Sequence, residues 1–524
     1  MNVTPSKIRR PVVKIESSAQ IRLFEAPAEA VSLQERSPGP QPIRFHDPDP
    51  NELRLGELPL REHLRQMGVK DALLVREILD EQDFSAFLAR YQPMGRRPYA
   101  PRAMVGLILY GLMRGISSLR DLERFSRVDL SCMWVSGGIA PDHSVLGRFV
   151  HRHAEELSEG LFEGLLESVL RRTKSGRTQL AGDATVIEAV SSRFGLLKRE
   201  AIEEGGTEQE RAEREELKRV LEERRAESGG RGHELGHPAE PDASVLKQKG
   251  GSFSRLSYVP AILANADRVV VDAELDGQHE LKPIAKLIGR QHFETLSLDN
   301  GFLAEEILEA AIEKDRDILV AVKRPGPRAG QYFGDHRFVY DEERDAYRCP
   351  AEQWLTRVRQ GRSGQQRKAY TEYQTKACVT CPLHGECTKH KYRTIQRSRA
   401  TELREGMMRV MSQRPARRRY AKHQAWVEPV FSALRSRQGL NRFRRRGLAK
   451  ARLEFRLHVM AYNLSRAWAA VTASLGLLNG FAGRLKKAPG GRWTKILVSG
   501  HPASTALRRA FGPPQRQPGY ALAA

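Results

Sequence analysis

Three acidic residues occupy positions at which an ionised side chain could do chemistry. Asp183 follows a short apolar run in QLAGDATVIEAV, and Asp299 follows another in LSLDNGF. Glu428 lies in AWVEPVFSAL and is the only acid among residues 406 to 453. Two aspartates at the ends of half-buried strands and one glutamate on a helix are hard oxygen ligands of the kind that Mg²⁺ and Mn²⁺ prefer. A pair of such ions promotes in-line displacement at phosphorus.

Each acid also has a structural interpretation. Asp183 could hydrogen-bond its own backbone in a turn, and Glu428 could neutralise the arginines around it. The recurrence of the pattern at Asp299 favours the chemical interpretation. Asp272 and Glu280, in VVVDAELDGQHEL, are interpreted as structural, with Glu280 as a candidate accessory carboxylate.

The charge of the chain indicates a polyanionic partner. Its 524 residues include 87 Lys and Arg against 64 Asp and Glu, a formal net charge of +23. Residues 388 to 456 alone contain 21 Lys and Arg and four acids. Such a density favours a phosphate backbone over a small acid. The candidate DNA-binding residues are Arg435, Arg437, Arg442, Arg444, Arg445 and Arg446.

Other classes of protein fit the sequence less well. The first apolar runs are brief and broken by charges, unlike a signal peptide, and the longest uncharged stretch is too polar for a typical spanning helix. Five cysteines are too few for a disulfide scaffold of this length and indicate a reducing compartment. We therefore expect a cytoplasmic protein without a membrane partner.

Four of the cysteines could form a second metal site. Cys349, Cys378, Cys381 and Cys387 fall in one Arg- and Lys-rich region, and CVTCPLHGEC contains the C-x2-C spacing of thiolate zinc sites. Structural Zn²⁺ and reduced, unligated thiols both remain open, with His384 and His390 as reserve ligands. The fifth, Cys132, is interpreted as a core residue.

The periodicity of the sequence predicts several domains. Residues 1–44 are rich in Pro, Ser and charge and are predicted to be a disordered arm. Residues 45–175 carry apolar residues at helical spacing, so an all-α domain is expected there, with DNA binding or a plain helical bundle as its role. Strands alternate with helices in residues 176–470, which predicts an α/β core with a mixed sheet. Insertions are expected at about 198–249 and 335–399, and residues 471–524 are expected to form a C-terminal tail.

One local prediction concerns the helix that carries Glu428. Pro429 disfavours helical geometry at the residue before it, so a helix start or a kink is predicted at this point.

These motifs together resemble the DDE transposases of bacterial insertion sequences, whose catalytic core is similar to retroviral integrase and ribonuclease H. The N-terminal helical domain resembles that family in PMGRRPYAPRAMVGLILYGLMRGISSLRDLE and PDHSVLGRF. The aspartate blocks are GDATVIEA and LSLDNGF, and the glutamate block is VEPVFSALRSRQGLNRFRRRGLAKARLEFRLHVMAYNLSR. The resemblance extends from about His46 to Trp468.

The resemblance implies a fold, a mechanism and partners. The core would be ribonuclease H-like, and Asp183, Asp299 and Glu428 would be the catalytic triad that binds Mg²⁺ or Mn²⁺. Arg435 stands where the family usually has lysine, and His423 or Gln424 where it often has arginine. The expected activity is cleavage at the element's terminal inverted repeats and transfer of the freed 3′-hydroxyl to target DNA. The protein would act as a homo-oligomer in a synaptic complex associated with the nucleoid.

Two alternatives belong to other functional classes. An inactive or domesticated transposase derivative would bind DNA without cutting it, and a hydrolytic nuclease would cut without joining. The presence of all three acids argues against the first, and detection of a strand-transfer product would distinguish the second.

Overall fold

The computed structural model describes residues 43–92, 96–202, 207–227, 235–248, 253–322, 332–363 and 368–485. Nearly all of the predicted N-terminal arm and residues 486–524 of the predicted C-terminal tail lie outside the described residues.

The first described region is helical, as its apolar spacing predicted. It opens with a hairpin of β1 Arg54–Leu55 and β2 Leu58–Pro59. Its helices are α1 Leu60–Gln66, α2 Asp71–Asp80, α3 Ser85–Ala89, α4 Pro101–Met113, α5 Leu119–Val128, α6 Leu130–Ser136, α7 His143–Arg152, α8 Ala154–Ser158 and α9 Gly160–Thr173. Aspartates begin two of them, because Asp129 accepts the N–H of Cys132 and Asp142 that of Val145 at 2.8 and 2.9 Å. Helix α4 is buried on nearly every face and forms the centre of this region.

A mixed α/β region follows. Its elements are β3 Gln179–Ala184, β4 Ile187–Glu188, β5 Leu197–Lys198, α10 Glu208–Glu227, β6 Leu235–Gly236, β7 Ser244–Lys247, β8 Ser254–Asn265, β9 Val270–Asp276, α11 Leu281–Arg290, β10 Thr295–Leu298, α12 Glu305–Glu313 and β11 Ile318–Val320. The sheet is mixed, as the sequence predicted. Strand β3 is antiparallel to β8 and parallel to β10, β8 is antiparallel to β9, and β10 is parallel to β11. The order across the sheet is therefore β9-β8-β3-β10-β11.

The range 198–249, predicted to be an insertion, has two structural parts. Helix α10 occupies the first part of this range, and the short β5–β6 pair forms a two-stranded sheet of its own. Strand β7, in contrast, pairs with the first half of β8, on the opposite edge of β8 from β4. The last residues of this range thus extend the main sheet.

The remaining elements form a small β-module and four C-terminal helices. They are β12 Val339–Asp341, β13 Ala346–Arg348, β14 Trp354–Ser363, β15 Lys368–Gln374, α13 His384–Cys387, β16 Ile395–Ser398, α14 Arg399–Ser412, α15 Arg414–Tyr420, α16 His423–Ser436 and α17 Leu448–Leu485. The five strands form an antiparallel sheet in chain order with a hydrophobic cluster of its own. This module lies within the predicted insertion at 335–399.

Helix α17 connects the helical region to the sheet. It packs on α4 and α9 and also on β9, so that one hydrophobic core extends across both regions. Asn463 of α17 accepts the N–H of Val270 at 2.9 Å and donates to its carbonyl at 2.8 Å. Its side-chain amide thereby serves backbone groups of strand β9. No helix in the described part of the chain is both long enough and apolar enough to cross a membrane.

Candidate active site

The two aspartates stand at the same edge of the main sheet. Parallel strands β3 and β10 are direct neighbours, and Leu298 is in register with Gly182. Asp183 is the next residue on β3, and Asp299 follows the last residue of β10. The prediction that the strands ending near these two acids are neighbours in one sheet is confirmed. Each carboxylate accepts the N–H of the residue that follows it, at 2.8 Å for Asp183 and 2.7 Å for Asp299.

Gly182 allows this close approach. A Cβ atom at Gly182 would lie 2.6 Å from Cδ2 of Leu298 and 3.0 Å from Cδ2 of Leu263. Both leucines are fully buried, so neither has free space into which to move. The glycine before Asp183 is therefore a packing requirement between neighbouring strands.

Glu428 is exposed on α16, a helix that packs on β3. The sequence predicted a helix start or a kink at Pro429; the helix begins at His423, so the start is wrong, and the proline lies inside the helix. Proline has no N–H for the carbonyl of Ala425, one turn earlier. The Nε of Arg268 donates to that carbonyl at 3.1 Å instead. A distant arginine thereby satisfies the backbone acceptor that the proline leaves without its helical donor.

A cleft joins the glutamate to the first aspartate. Asp183 and Glu428 line the same open cavity of about 570 Å³, together with Thr185 and Arg435. Asp299 follows the strand next to that of Asp183 and lies near the phenol of Tyr420. The pKa of Tyr420 is raised to about 12, mainly by burial and further by the charges of Asp299 and Asp183. Asp183 thus shares a cleft with Glu428 and a neighbouring tyrosine with Asp299.

The geometry does not by itself form a metal site. In the described residues no group of three or more His, Cys, Asp and Glu side chains could hold an ion as it stands. Neighbouring carboxylates repel one another without a cation between them. The oxygen donors are nevertheless of the type that suits Mg²⁺ or Mn²⁺.

A histidine connects the glutamate helix to the aspartate strand. His423 is buried, and its Nε2 lies 3.0 Å from the carbonyl oxygen of Gly182, to which it donates. Its ring stacks on Tyr420 with centroids 5.4 Å apart and planes inclined by 10°. The first residue of α16 is thus fixed to the residue before Asp183. The sequence marked His423 only as a departure from arginine and gave no role to Tyr420.

The predicted DNA-binding arginines divide into two groups. Arg435 donates to Thr185 Oγ1 at 2.6 Å and to the carbonyl of Val186 at 3.0 Å, and Arg442 donates to the carbonyls of Ala189 and Val190. These two side chains connect α16 and the residues just after it to residues 185–190, which follow β3, by hydrogen bonds.

The other four arginines differ in exposure. Arg445 is half-buried beside the buried Glu454, whereas Arg437, Arg444 and Arg446 are exposed. Exposed guanidinium groups are the ones that can reach a phosphate backbone.

A second basic group lies on α15. Arg414, Arg417, Arg418 and Arg419 are all exposed, and this helix contains no acidic residue. It ends at Tyr420, next to the two aspartates. The signal for it in the sequence was the run RPARRRY, which the charge count included without a specific role.

The remaining acids have different surroundings. Asp272 is buried and accepts two hydrogen bonds from Arg290 and one from Gln291, each at 2.8 Å, which agrees with a structural role. Glu280 lies beside the loop after Asp299, since a Cβ atom on Gly301 would stand 3.0 Å from its Oε1.

The cysteines also separate by location. Cys132 is fully buried in the helical core. Cys349, Cys378, Cys381 and Cys387 line one small cavity of the β-module, with His384.

Two transposase family models match the sequence. The model described as "Transposase domain (DUF772)" matches residues 64–152, within the helical region. The model described as "Transposase DDE domain" matches residues 348–468, which include most of the β-module, Glu428 and the first half of α17. The two matches support a DDE transposase of an insertion sequence. No curated protein matches the sequence. Both aspartates lie outside the matched ranges, and DDE transposases in general depend on a divalent metal ion.

Proposed function

We propose that this transposase cuts the ends of its insertion sequence and transfers the freed 3′-hydroxyl to target DNA. The observation that carries the proposal is the placement of Asp183 and Asp299 on adjacent parallel strands, with Glu428 across the same cleft. Oxygen donors from two strands and a helix are the set that two-metal phosphoryl transfer requires.

The topology of the sheet supports a ribonuclease H-like core. Three antiparallel strands, β9, β8 and β3, continue into two parallel strands, β10 and β11. Helix α11 connects β9 to β10, and α12 connects β10 to β11. The resemblance implies a ribonuclease H-like core with a mixed sheet, and this sheet, with Asp183 on β3 and Asp299 just after β10, supports it.

In this mechanism Asp183, Asp299 and Glu428 would hold two divalent ions. Bound there, the ions would activate the attacking oxygen and stabilise the charge on the leaving oxygen. The carboxylates would hold and orient the ions, and they form no covalent bond to DNA. Water attacks the phosphodiester first, which releases a 3′-hydroxyl and leaves a 5′-phosphate. That hydroxyl then attacks a target phosphodiester, and the displaced target 3′-oxygen leaves with a proton.

Several contacts keep the carboxylates in position. His423 and Arg435 join α16 to β3 on either side of Glu428, through the carbonyl of Gly182 and through Thr185. Fixing the helix to the strand restricts the separation of Glu428 and Asp183. Preorganisation of this kind is worth large factors in rate, because catalysis at phosphorus depends on positioning.

DNA would approach over the exposed basic surface. We assign phosphate contacts to the arginines of α15 and to Arg437, Arg444 and Arg446, because their side chains are exposed. Arg435, Arg442 and Arg445 are assigned to the support of the site. The partners would be the terminal inverted repeats and the target, bound by a homo-oligomer, with nucleoid association following from DNA binding.

The proposal is tested with a plasmid that carries the gene and its native flanking DNA, incubated with the full chain and Mg²⁺. A joined product, in which an element end is linked to target DNA, is expected. Cutting without joining would support the nuclease alternative. Binding without cutting would support the inactive DNA-binding derivative.

A further inference from the structure

The β-module has a very small hydrophobic core. Among the described residues, the buried members of its hydrophobic cluster are Phe338, Tyr347, Leu355, Tyr373, Cys387 and Ile395. A unit below about 70 residues rarely obtains enough stability from such a core, and units of this size commonly add disulfides or a structural metal. All four cysteines of the module are free thiols, so the protein has the residues for a cross-link but no disulfide.

The four thiols come from two separate segments of the module and line one cavity. Cys349 lies in the turn between β13 and β14. Its N–H donates to the carbonyl of Gln353 at 2.9 Å, and its carbonyl accepts the N–H of Glu352 at 2.9 Å. Glu352 adopts a φ of +61°, which is unusual for a residue with a side chain. A specific turn therefore directs Cys349 toward the other thiols.

The other three cysteines lie on consecutive turns. The N–H of Cys381 donates to the carbonyl of Cys378 at 3.4 Å, and the N–H of His384 donates to the carbonyl of Cys381 at 3.1 Å. Cys387 ends the short helix α13 and is buried. The C-x2-C pair and Cys387 thus reach the cavity from one continuous segment, opposite Cys349.

We propose that Cys349, Cys378, Cys381 and Cys387 bind one structural Zn²⁺ that cross-links the β-module. Four thiolates at about 2.3 Å are a closed tetrahedral zinc site. The described residues hold no ready-formed site, so the thiol side chains must turn inward when the ion binds. His384 is less suited as a ligand, since its Nε2 lies 3.1 Å from the carbonyl oxygen of His390.

The zinc would have a structural consequence for the rest of the chain. Strand β16 ends at Ser398 and leads directly into α14, whose first turn has a capping box of Ser398 and Thr401. Helix α14 packs on α12 and β11 of the main sheet and precedes α15 and the helix of Glu428. The ion would thus stabilise the segment that joins the second aspartate strand to the glutamate helix.

The test measures zinc in the full-length protein, purified in a reducing buffer and dialysed against metal-free buffer, by elemental analysis. About one zinc per chain is expected in the wild type and in Cys132→Ser, the matched control. The Cys378→Ser/Cys381→Ser double variant should hold none. Asp183→Asn should keep its zinc, so the result is independent of the proposed catalytic triad.

A second measurement does not depend on the folding of a variant. Replacement of zinc by Co²⁺ in the wild type should give the intense thiolate-to-cobalt charge-transfer band and the visible bands of a tetrahedral sulfur site. A wild-type chain that binds neither metal after reconstitution would overturn the proposal. So would zinc retained by the double variant, or iron with inorganic sulfide found in place of zinc.

Discussion

Substitution of Gly182 by alanine should disturb the candidate active site without touching an acidic residue. The new Cβ would lie 2.6 Å from Cδ2 of Leu298, whereas ordinary contacts begin at 3.4 Å. The strands must therefore separate locally by about 0.8 Å, because Leu298, Leu263 and Ile284 are all fully buried around this point. Overpacking of this kind costs about 1–3 kcal/mol of folding free energy.

The same displacement should affect catalysis more than stability. Gly182 precedes Asp183 and faces Leu298, which precedes Asp299, so a separation there moves the two aspartates apart. A misplacement of about 1 Å reduces a well-oriented reaction by about 10²-fold. DNA cleavage by Gly182→Ala should fall by about that factor, and the melting temperature should fall by about 2–4 °C for each kcal/mol.

Gly406→Ala is the matched control. Gly406 lies inside α14, where a Cβ would meet no atom within 4 Å, and alanine in a helix is worth about 0.5–1 kcal/mol over glycine. A smaller residue at Leu298, as in Leu298→Val, should restore part of the cleavage activity in the double variant with Gly182→Ala. Wild-type cleavage by Gly182→Ala alone would refute the role of strand spacing.

Two further predictions concern charge. Alanine at residues 417–419 should weaken DNA binding and reduce the slope of log affinity against log salt by about 0.9 for each phosphate that is no longer neutralised. Lysine at these positions is the control and should retain the slope. An unchanged slope with alanine would show that DNA binds to another surface. Burial raises the pKa of Glu454 to about 7, above the 4.5 of an exposed glutamate, so its contribution to stability is complete below pH 4.5 and disappears as the pH rises through 7. Glu454→Gln should therefore remove a fall of about 3 kcal/mol between pH 4.5 and 8, measured by thermal melting; the same pH dependence in both proteins would contradict this assignment.

Local patterns in the sequence predicted the elements but not their long-range contacts. The apolar runs before Asp183 and Asp299 were sufficient to predict two strand ends, because a buried strand has a simple periodicity. Of the two alternatives predicted at Pro429, a helix start or a kink, the start is wrong, because α16 begins at His423 and Arg268 donates to the carbonyl of Ala425 that the proline leaves without its helical donor. A residue 157 positions away leaves no local signal.

The roles of the arginines show the same difference. A count of charges marks Arg417 and Arg442 alike as basic. Both side chains are exposed, and only the fold shows that Arg442 donates to two carbonyls after β4, whereas Arg417 lies on α15 near the aspartates. Contacts of this type depend on tertiary packing, and so does the pairing of β7 with β8 of the main sheet.

The most direct test of the account compares DNA cleavage by the wild type with that by Asp183→Asn, Asp299→Asn and Glu428→Gln, in Mg²⁺ and on the plasmid with native flanks. Each variant removes a negatively charged oxygen donor and leaves the exposed arginines unchanged, so gel shifts should show nearly normal DNA binding. All three variants should bind DNA, and none should cut it. Cleavage near the wild-type rate by any one of them would contradict the assignment of that carboxylate to the active site.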